Sequence, residues 1–268
     1  MDSPGTPSSH PLAPTRARFD RLSRVNREST TWVLKCFGPM LCGITRLWTR
    51  TSWSGANQLV AQGPMIVVAN HISSLDPVLI GIFLAYNGRW PHFLARANLF
   101  DSKLLGPLLK IARQIPVERG SVRAKDSLVA AQRALEQGRT VVMYPEGTIT
   151  LDPDEWPMAV HSGAARLAIA TQVPVIPVGQ WGANHALPPR GIHRFRLRRW
   201  PVTIVAGARI DLSEYGTDPR DRGAVNAAST RILDEVIRLV EVARNESAPQ
   251  ELWHPKLHCR VPRDQALQ

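Results

Sequence analysis

Short, almost wholly apolar runs recur along the chain, each followed by a longer stretch of helical character, and this pattern narrows the fold more than any other feature. Met65–Ala69 reads Met-Ile-Val-Val-Ala, and Ile115–Val117, Thr140–Tyr144 and Val173–Val178 are built the same way. Runs this short are strands rather than helices, and their continuous apolar character means burial on both faces. His92–Ala95 and Val202–Ala206 complete the predicted strands. Helices are predicted over Pro77–Tyr86, Ser102–Ala112, Ser121–Gln137, Ser162–Thr171 and Arg220–Ala243, with Gly138 placed to end the third of them. Strand and helix alternating in this way predict an α/β fold, a largely parallel central sheet flanked by helices. A chain of 268 residues suffices for one full core with appendages.

The flanks read differently. Residues 1–15 have the Pro/Ser-rich composition of a disordered tail. Residues 16–54 mix arginines with apolar and aromatic residues and predict a basic, amphipathic, membrane-associating helical segment, broken near Gly38-Pro39. The α/β domain then occupies 55–247, and 248–268 predict an irregular tail. The net charge of +11 favours anionic partners: nucleic acid, an anionic membrane surface or phosphorylated substrates. Arginines cluster at Arg16, Arg18, Arg21, Arg24 and Arg27, and again at Arg190, Arg194, Arg196, Arg198 and Arg199. No helix-turn-helix, zinc or RNP-type pattern accompanies them, so nucleic acid is not the expected partner. Trp32, Trp48 and Trp53 suit a membrane interface or a place packed beneath the domain. Cys36, Cys42 and Cys259 form no CxxC pair and no metal-ligand spacing, which fits a reducing compartment. Residues 1–30 lack the apolar core of a signal peptide. The best candidate for a membrane span, Trp32–Trp48, is interrupted by Lys35, Gly38, Pro39 and Arg46. A peripheral or monotopic protein on the cytoplasmic face of a membrane is expected.

The richest stretch for chemistry is Asn70-His71-Ile72-Ser73-Ser74-Leu75-Asp76-Pro77, directly after the Met65–Ala69 strand. Asp76 and Pro77 read as the N-cap and first residue of the following helix. On a continuous helix His71 and Asp76 would point about 140° apart. A strand–turn–helix connection instead lets His71 fold back onto Asp76, whose carboxylate would fix the ring tautomer and leave the other nitrogen free as a base. A loop histidine beside an ordinary cap is the simpler alternative. Three further segments end strands. Ile115–Gly120 places Arg119 just past a buried strand, where open α/β sheets build ligand sites. Tyr144-Pro145-Glu146-Gly147-Thr148 supplies a carboxylate, a glycine allowing close backbone approach, and a hydroxyl. Val173–Gly179 carries Pro174 and Pro177, suited to lining a pocket or an edge. Singly, each could be surface charge, turn or core.

Together and in this order, the segments resemble the glycerolipid acyltransferases typified by 1-acylglycerol-3-phosphate acyltransferase. That family carries an NHxxxxD block, an arginine block after a short strand, a PEGT block and a late V-P-[VI]-[IV]-P-V strand, matched here by Asn70–Asp76, Ile115–Arg119, Pro145–Thr148 and Val173–Val178. Gly163–Ile169 is similar to the family's helix before the last block. The resemblance covers about residues 55–215. It implies that His71 takes the proton of an acceptor hydroxyl attacking an acyl thioester and that Asp76 orients the histidine. Arg119, Glu146, Gly147 and Thr148 would form the acceptor-phosphate subsite, with Asn70 and Pro177 also at the substrate site. The implied reaction turns a lysophosphatidic acid into phosphatidic acid, with acyl-CoA or acyl carrier protein as donor and neither metal nor cofactor. Without a GxSxG elbow, direct transfer is expected rather than an acyl-enzyme. Two departures bear on the acceptor: Ile149 follows Thr148 where the family often has arginine, and His161 stands where a basic residue often precedes the GAAR helix. Glycerol-3-phosphate, a lysophospholipid or a glycolipid are alternative acceptors, and a thioester hydrolase is an alternative reaction.

Overall fold

The computed structural model describes residues 14–17, 19, 22, 32–60, 62–118, 124–189 and 199–267. Its centre is β3, Met65–Ala69, in which every residue is buried. This is why the run is apolar without alternation. The other strands are β1 (Thr15–Arg16), β2 (Thr49–Ser54), β4 (Pro91–Arg96), β5 (Ile115–Val117), β6 (Thr140–Met143), β7 (Val175–Trp181) and β8 (Trp200–Ala206). They form one eight-stranded sheet in the order β1-β2-β8-β7-β3-β6-β4-β5. β3 pairs in parallel with β6 and β7, β4 in parallel with β5 and β6, and β2 in parallel with β8. Only β1 on β2 and β8 on β7 run antiparallel within this sheet. The predicted largely parallel α/β sheet is what forms.

Helices cover both faces: α1 (Trp32–Trp48), α2 (Asp76–Tyr86), α3 (Leu105–Ile111), α4 (Ala124–Glu136), α5 (Gly163–Thr171), α6 (Ala183–Ala186) and α7 (Arg222–Arg244). Met65, Val67 and Ala69 pack with Leu79, Ile80 and Phe83 of α2. Ile66 and Val68 point the other way, against Ala131 and Leu135 of α4, Ile169 of α5 and Val236 of α7. The period of two along the strand distributes one run between two cores. Against β7, α7 lies so close that a Cβ on Gly179 would fall 2.3 Å from the Leu239 carbonyl carbon.

Three expectations are corrected, and one open alternative, the place of Trp53, is decided. Thr49–Ser54 is a strand rather than part of a helical segment, so the sheet begins before residue 55. Its polar residues hide it, yet Thr49 and Trp53 face inward. Trp53 is 7% exposed and packs on Phe19 and Phe83, which places it in the core and not at an interface. α1 runs through Pro39 without a break. Residues 248–268 are not an irregular tail as far as they are described: β9 (Leu252–His254) and β10 (Cys259–Val261) form an antiparallel hairpin. Leu252, Val261 and Ala266 are buried against Ala159, Val160, Leu233 and Ile237. Much of the proposed disordered tail, and the arginines Arg18, Arg21, Arg24, Arg27, Arg190, Arg194, Arg196 and Arg198, lie outside the described residues.

Candidate active site

β3 ends at Ala69, and the turn that follows carries His71 back over the start of α2. His71 Nδ1 lies 2.9 Å from Asp76 Oδ2. The same carboxylate oxygen accepts the backbone N–H groups of Ile72 at 2.6 Å and Ser73 at 2.8 Å. Asp76 is the first residue of α2 and Leu75 its N-cap, one position off the expected cap. The carboxylate therefore gathers the amides of the turn and a histidine instead of capping α2. Asp76 is fully buried while His71 keeps 13% of its side chain exposed. Burial pushes the Asp76 carboxyl above its ordinary range, opposed by the His71 ring and by the two amides. With Nδ1 engaged, Nε2 is the nitrogen left for chemistry.

The backbone of His71 is gripped from the turn after β6. Its N–H donates to Glu146 Oε1 at 3.0 Å, and its carbonyl accepts Thr150 N–H at 2.7 Å. The other oxygen of Glu146 accepts Met158 N–H at 3.1 Å. Glu146 is buried, and that burial pushes its carboxyl up to about 8. Both of its oxygens are thus committed to the backbone. Glu146, expected at the substrate site, here holds the segment that carries the histidine. Asn70, also expected at the substrate site, is likewise engaged by the protein itself. Its side chain donates to the Gln180 carbonyl at 3.0 Å and accepts Gln180 N–H at 2.8 Å, while Gln180 Nε2 donates to the Asn70 carbonyl at 3.1 Å. These bonds tie the ends of β3 and β7 together.

Gly147 has φ +71, and a Cβ there would fall 2.9 Å from His161 Cδ2, so the turn needs glycine for both conformation and space. Pro177 sits opposite Val68 in the β3–β7 register, on the α7 face and away from the cavity described next. Its expected role in lining the site is corrected, because strand alternation turns it to the other core. Arg119 lies outside the described residues.

A cavity of about 690 Å³ opens at His71 and Thr148 and runs between α2, β4 and α3, lined by apolar residues such as Val78, Ile82, Phe93, Leu105 and Leu109. Ile149 is also in its wall, so the position where arginine was expected presents an apolar surface. Two lining residues escaped the sequence reading. Tyr144 stacks on the His71 imidazole, with ring centres 4.2 Å apart and planes 17° from parallel. Alternation along β6 would have found it, since Val142 and residue 144 share a face. Arg96 ends β4 at the cavity wall, and its Nη2 donates to Thr148 Oγ1 at 3.4 Å. The strand-end logic applied to Arg119 points to Arg96 as well, because Arg96 is in register with Val117. Among the described residues no cluster of His, Cys, Asp or Glu could hold a metal ion.

A His–Asp pair at a strand–helix turn, facing an apolar cavity beside an arginine and a hydroxyl, offers a general base to a substrate with a long apolar part. Residues 50–181 match the family model described as Acyltransferase. A probable 1-acyl-sn-glycerol-3-phosphate acyltransferase from Mycoplasma genitalium is 30% identical over 147 residues, covering 52% of this chain and 54% of that protein. The 1-acyl-sn-glycerol-3-phosphate acyltransferase of Bacillus subtilis is 23% identical over 184 residues, 68% of this chain and 84% of that one. The crystal structure of the 1-acyl-sn-glycerophosphate acyltransferase of Thermotoga maritima superposes with TM-score 0.59 at 25% identity, covering 81% of this chain and 82% of that one. The chain spans about half the length of the Mycoplasma relative.

Proposed function

We propose that this protein transfers a fatty acyl group from an acyl thioester to the free hydroxyl of a lysophosphatidic acid, giving phosphatidic acid. The observation that carries the reading is the His71–Asp76 pair at the mouth of an apolar cavity of about 690 Å³. That volume falls in the range of small-molecule sites, and each methylene buried in it contributes about 0.8 kcal/mol to binding. His71 Nε2 takes the proton of the acceptor hydroxyl as that oxygen attacks the thioester carbonyl. The new C–O bond forms, the C–S bond breaks, and the proton leaves with the thiolate as a thiol. Asp76 holds the ring and steadies the imidazolium. Arg96 at the cavity wall, with Arg119 beyond β5, supplies the cations for the acceptor phosphate, since a guanidinium fork matches phosphate oxygens. The names of the relatives support the same acceptor and an acyl donor.

Among the described residues no helix is long and apolar enough to cross a membrane. For an acceptor that is a lipid, the protein docks on an anionic bilayer surface, led by the outward apolar stripe of α1. The test is purified protein with labelled acyl-CoA and a panel of lysophosphatidic acid, glycerol-3-phosphate and neutral lysolipids. Transfer to lysophosphatidic acid above the others is the expected result. Ile149 in the cavity wall favours one second reading, the same chemistry on a less anionic acceptor. Free fatty acid released irrespective of acceptor would replace both with a hydrolase.

A further inference from the structure

The hairpin β9–β10 lies outside the span matched by the family model, yet it is bolted to the segment that holds His71. Arg260 of β10 donates to Asp152 Oδ1 at 2.9 Å and Asp154 Oδ2 at 2.7 Å. Backbone bonds add to this: Ala159 N–H donates to the Trp253 carbonyl at 2.9 Å and Val160 N–H to the Ala266 carbonyl at 3.1 Å. The side chain of Asp152 is fully buried, with Arg260 as its cation. Breaking a buried ion pair by removing one partner leaves an uncompensated charge, so this contact fixes where the segment sits.

From Asp152 the connection to the histidine is short. Asp152 N–H donates to Thr150 Oγ1 at 3.2 Å, and that hydroxyl donates to the Trp156 carbonyl at 2.8 Å. Thr150 N–H in turn donates to the His71 carbonyl. Six residues further on, Met158 N–H fixes the Glu146 carboxyl that accepts His71 N–H. The segment that Arg260 anchors therefore holds the His71 carbonyl directly and the His71 N–H through Glu146. We infer that Arg260 is a positioning residue for the His71–Asp76 pair, and that the C-terminal hairpin is a strut of the active site. Arg260 touches no substrate; it acts through Asp152 and Thr150.

The inference rests on the acyl-transfer reading for its kinetic readout, and a second readout needs no substrate. In the full chain, Arg260→Met is expected to lower kcat by about ten- to a hundredfold, the scale of a small misplacement at a catalytic group, with both KM values within about twofold. It should also move the downfield proton resonance of the His71–Asp76 hydrogen bond while thermal unfolding remains one cooperative transition. Arg260→Lys keeps a cation for Asp152 and Asp154, which share Nη2 in the wild type, but loses the Nη1 bond to the Glu251 carbonyl, and should show the same changes at smaller size. An unmoved resonance with kcat within about twofold of wild type overturns the inference. So does activity lost only in proportion to unfolded protein, with the resonance of the folded fraction unchanged. Should Arg260→Met not fold, an unmoved resonance in Arg260→Lys is the overturning result. If wild type transfers acyl groups to no acceptor but the resonance moves in Arg260→Met, the proposed function fails and the strut stands.

Discussion

His71 is placed by three kinds of contact: Asp76 on the ring edge, Tyr144 on the ring face, and Glu146 and Thr150 on the backbone. Removing the imidazole by His71→Ala should cost about 10²–10⁴ in acyl-transfer rate, with circular dichroism and melting unchanged. More than a tenth of wild-type turnover in a folded variant would remove His71 from the chemistry. Glu146 carries a different signature. Its carboxyl stands at about 8 because it is buried, well above its unfolded value. Between about pH 4.5 and 8 the folded chain therefore holds a proton that the unfolded chain has released, and stability from this group declines as pH rises. Urea unfolding across that window should show this slope in wild type and lose it in Glu146→Ala, even though the variant is weaker throughout. Equal slopes in the two proteins would mean that Glu146 is ionised in the folded state. Asp76 and Glu146 look alike in the sequence, a carboxylate just past the end of a buried strand in each block. Only their surroundings assign one to the imidazole ring and the other to the backbone.

At the scale of elements, α2 forms one wall of the cavity, and Gly81 on it faces Phe93 and Pro91 at 3.6 and 3.7 Å from a built Cβ. An alanine fits there; a larger side chain enters the space assigned to the acyl chain. Gly81→Leu should shift kcat/KM across an acyl-CoA length series toward shorter chains, each excluded methylene costing about 0.8 kcal/mol. An unchanged length profile would place the acyl chain elsewhere. In α1 the two sides of the helix differ, but the apolar one does not face the core. Cys42 and Thr45 turn inward, while Met40, Ile44 and Leu47 are 50%, 48% and 77% exposed. The spacing of four and three puts those exposed residues on one helical face. The helix packs with a partly polar side and shows solvent an apolar one.

For the whole molecule, the proposed docking on a bilayer surface would use that stripe and Leu104, which is 90% exposed. Co-sedimentation with anionic vesicles should be strong for wild type at low salt. It should fall at high salt as the arginines are screened, and fall further in Ile44→Glu/Leu47→Glu. Binding unaffected by the double substitution would move the docking surface away from α1. Deleting residues 1–54 would not test this, because β2 within that stretch is a strand of the central sheet.

The sequence by itself determined the alternating strand–helix order, the doubly buried β3 and the meeting of His71 with Asp76. All three follow from local pattern: an apolar run of strand length, and a turn short enough to bring residues five apart together. The tertiary structure decided the rest. Asn70 and Glu146 became braces because their partners, Gln180, Met158 and the His71 backbone, arrive from distant segments. Pro177 went to the far core through the register of β7 on β3, which no local pattern reveals. The C-terminal residues looked irregular because short strands of mixed polarity acquire structure only by pairing, and Arg260 found its role only against Asp152, 108 positions earlier in the chain.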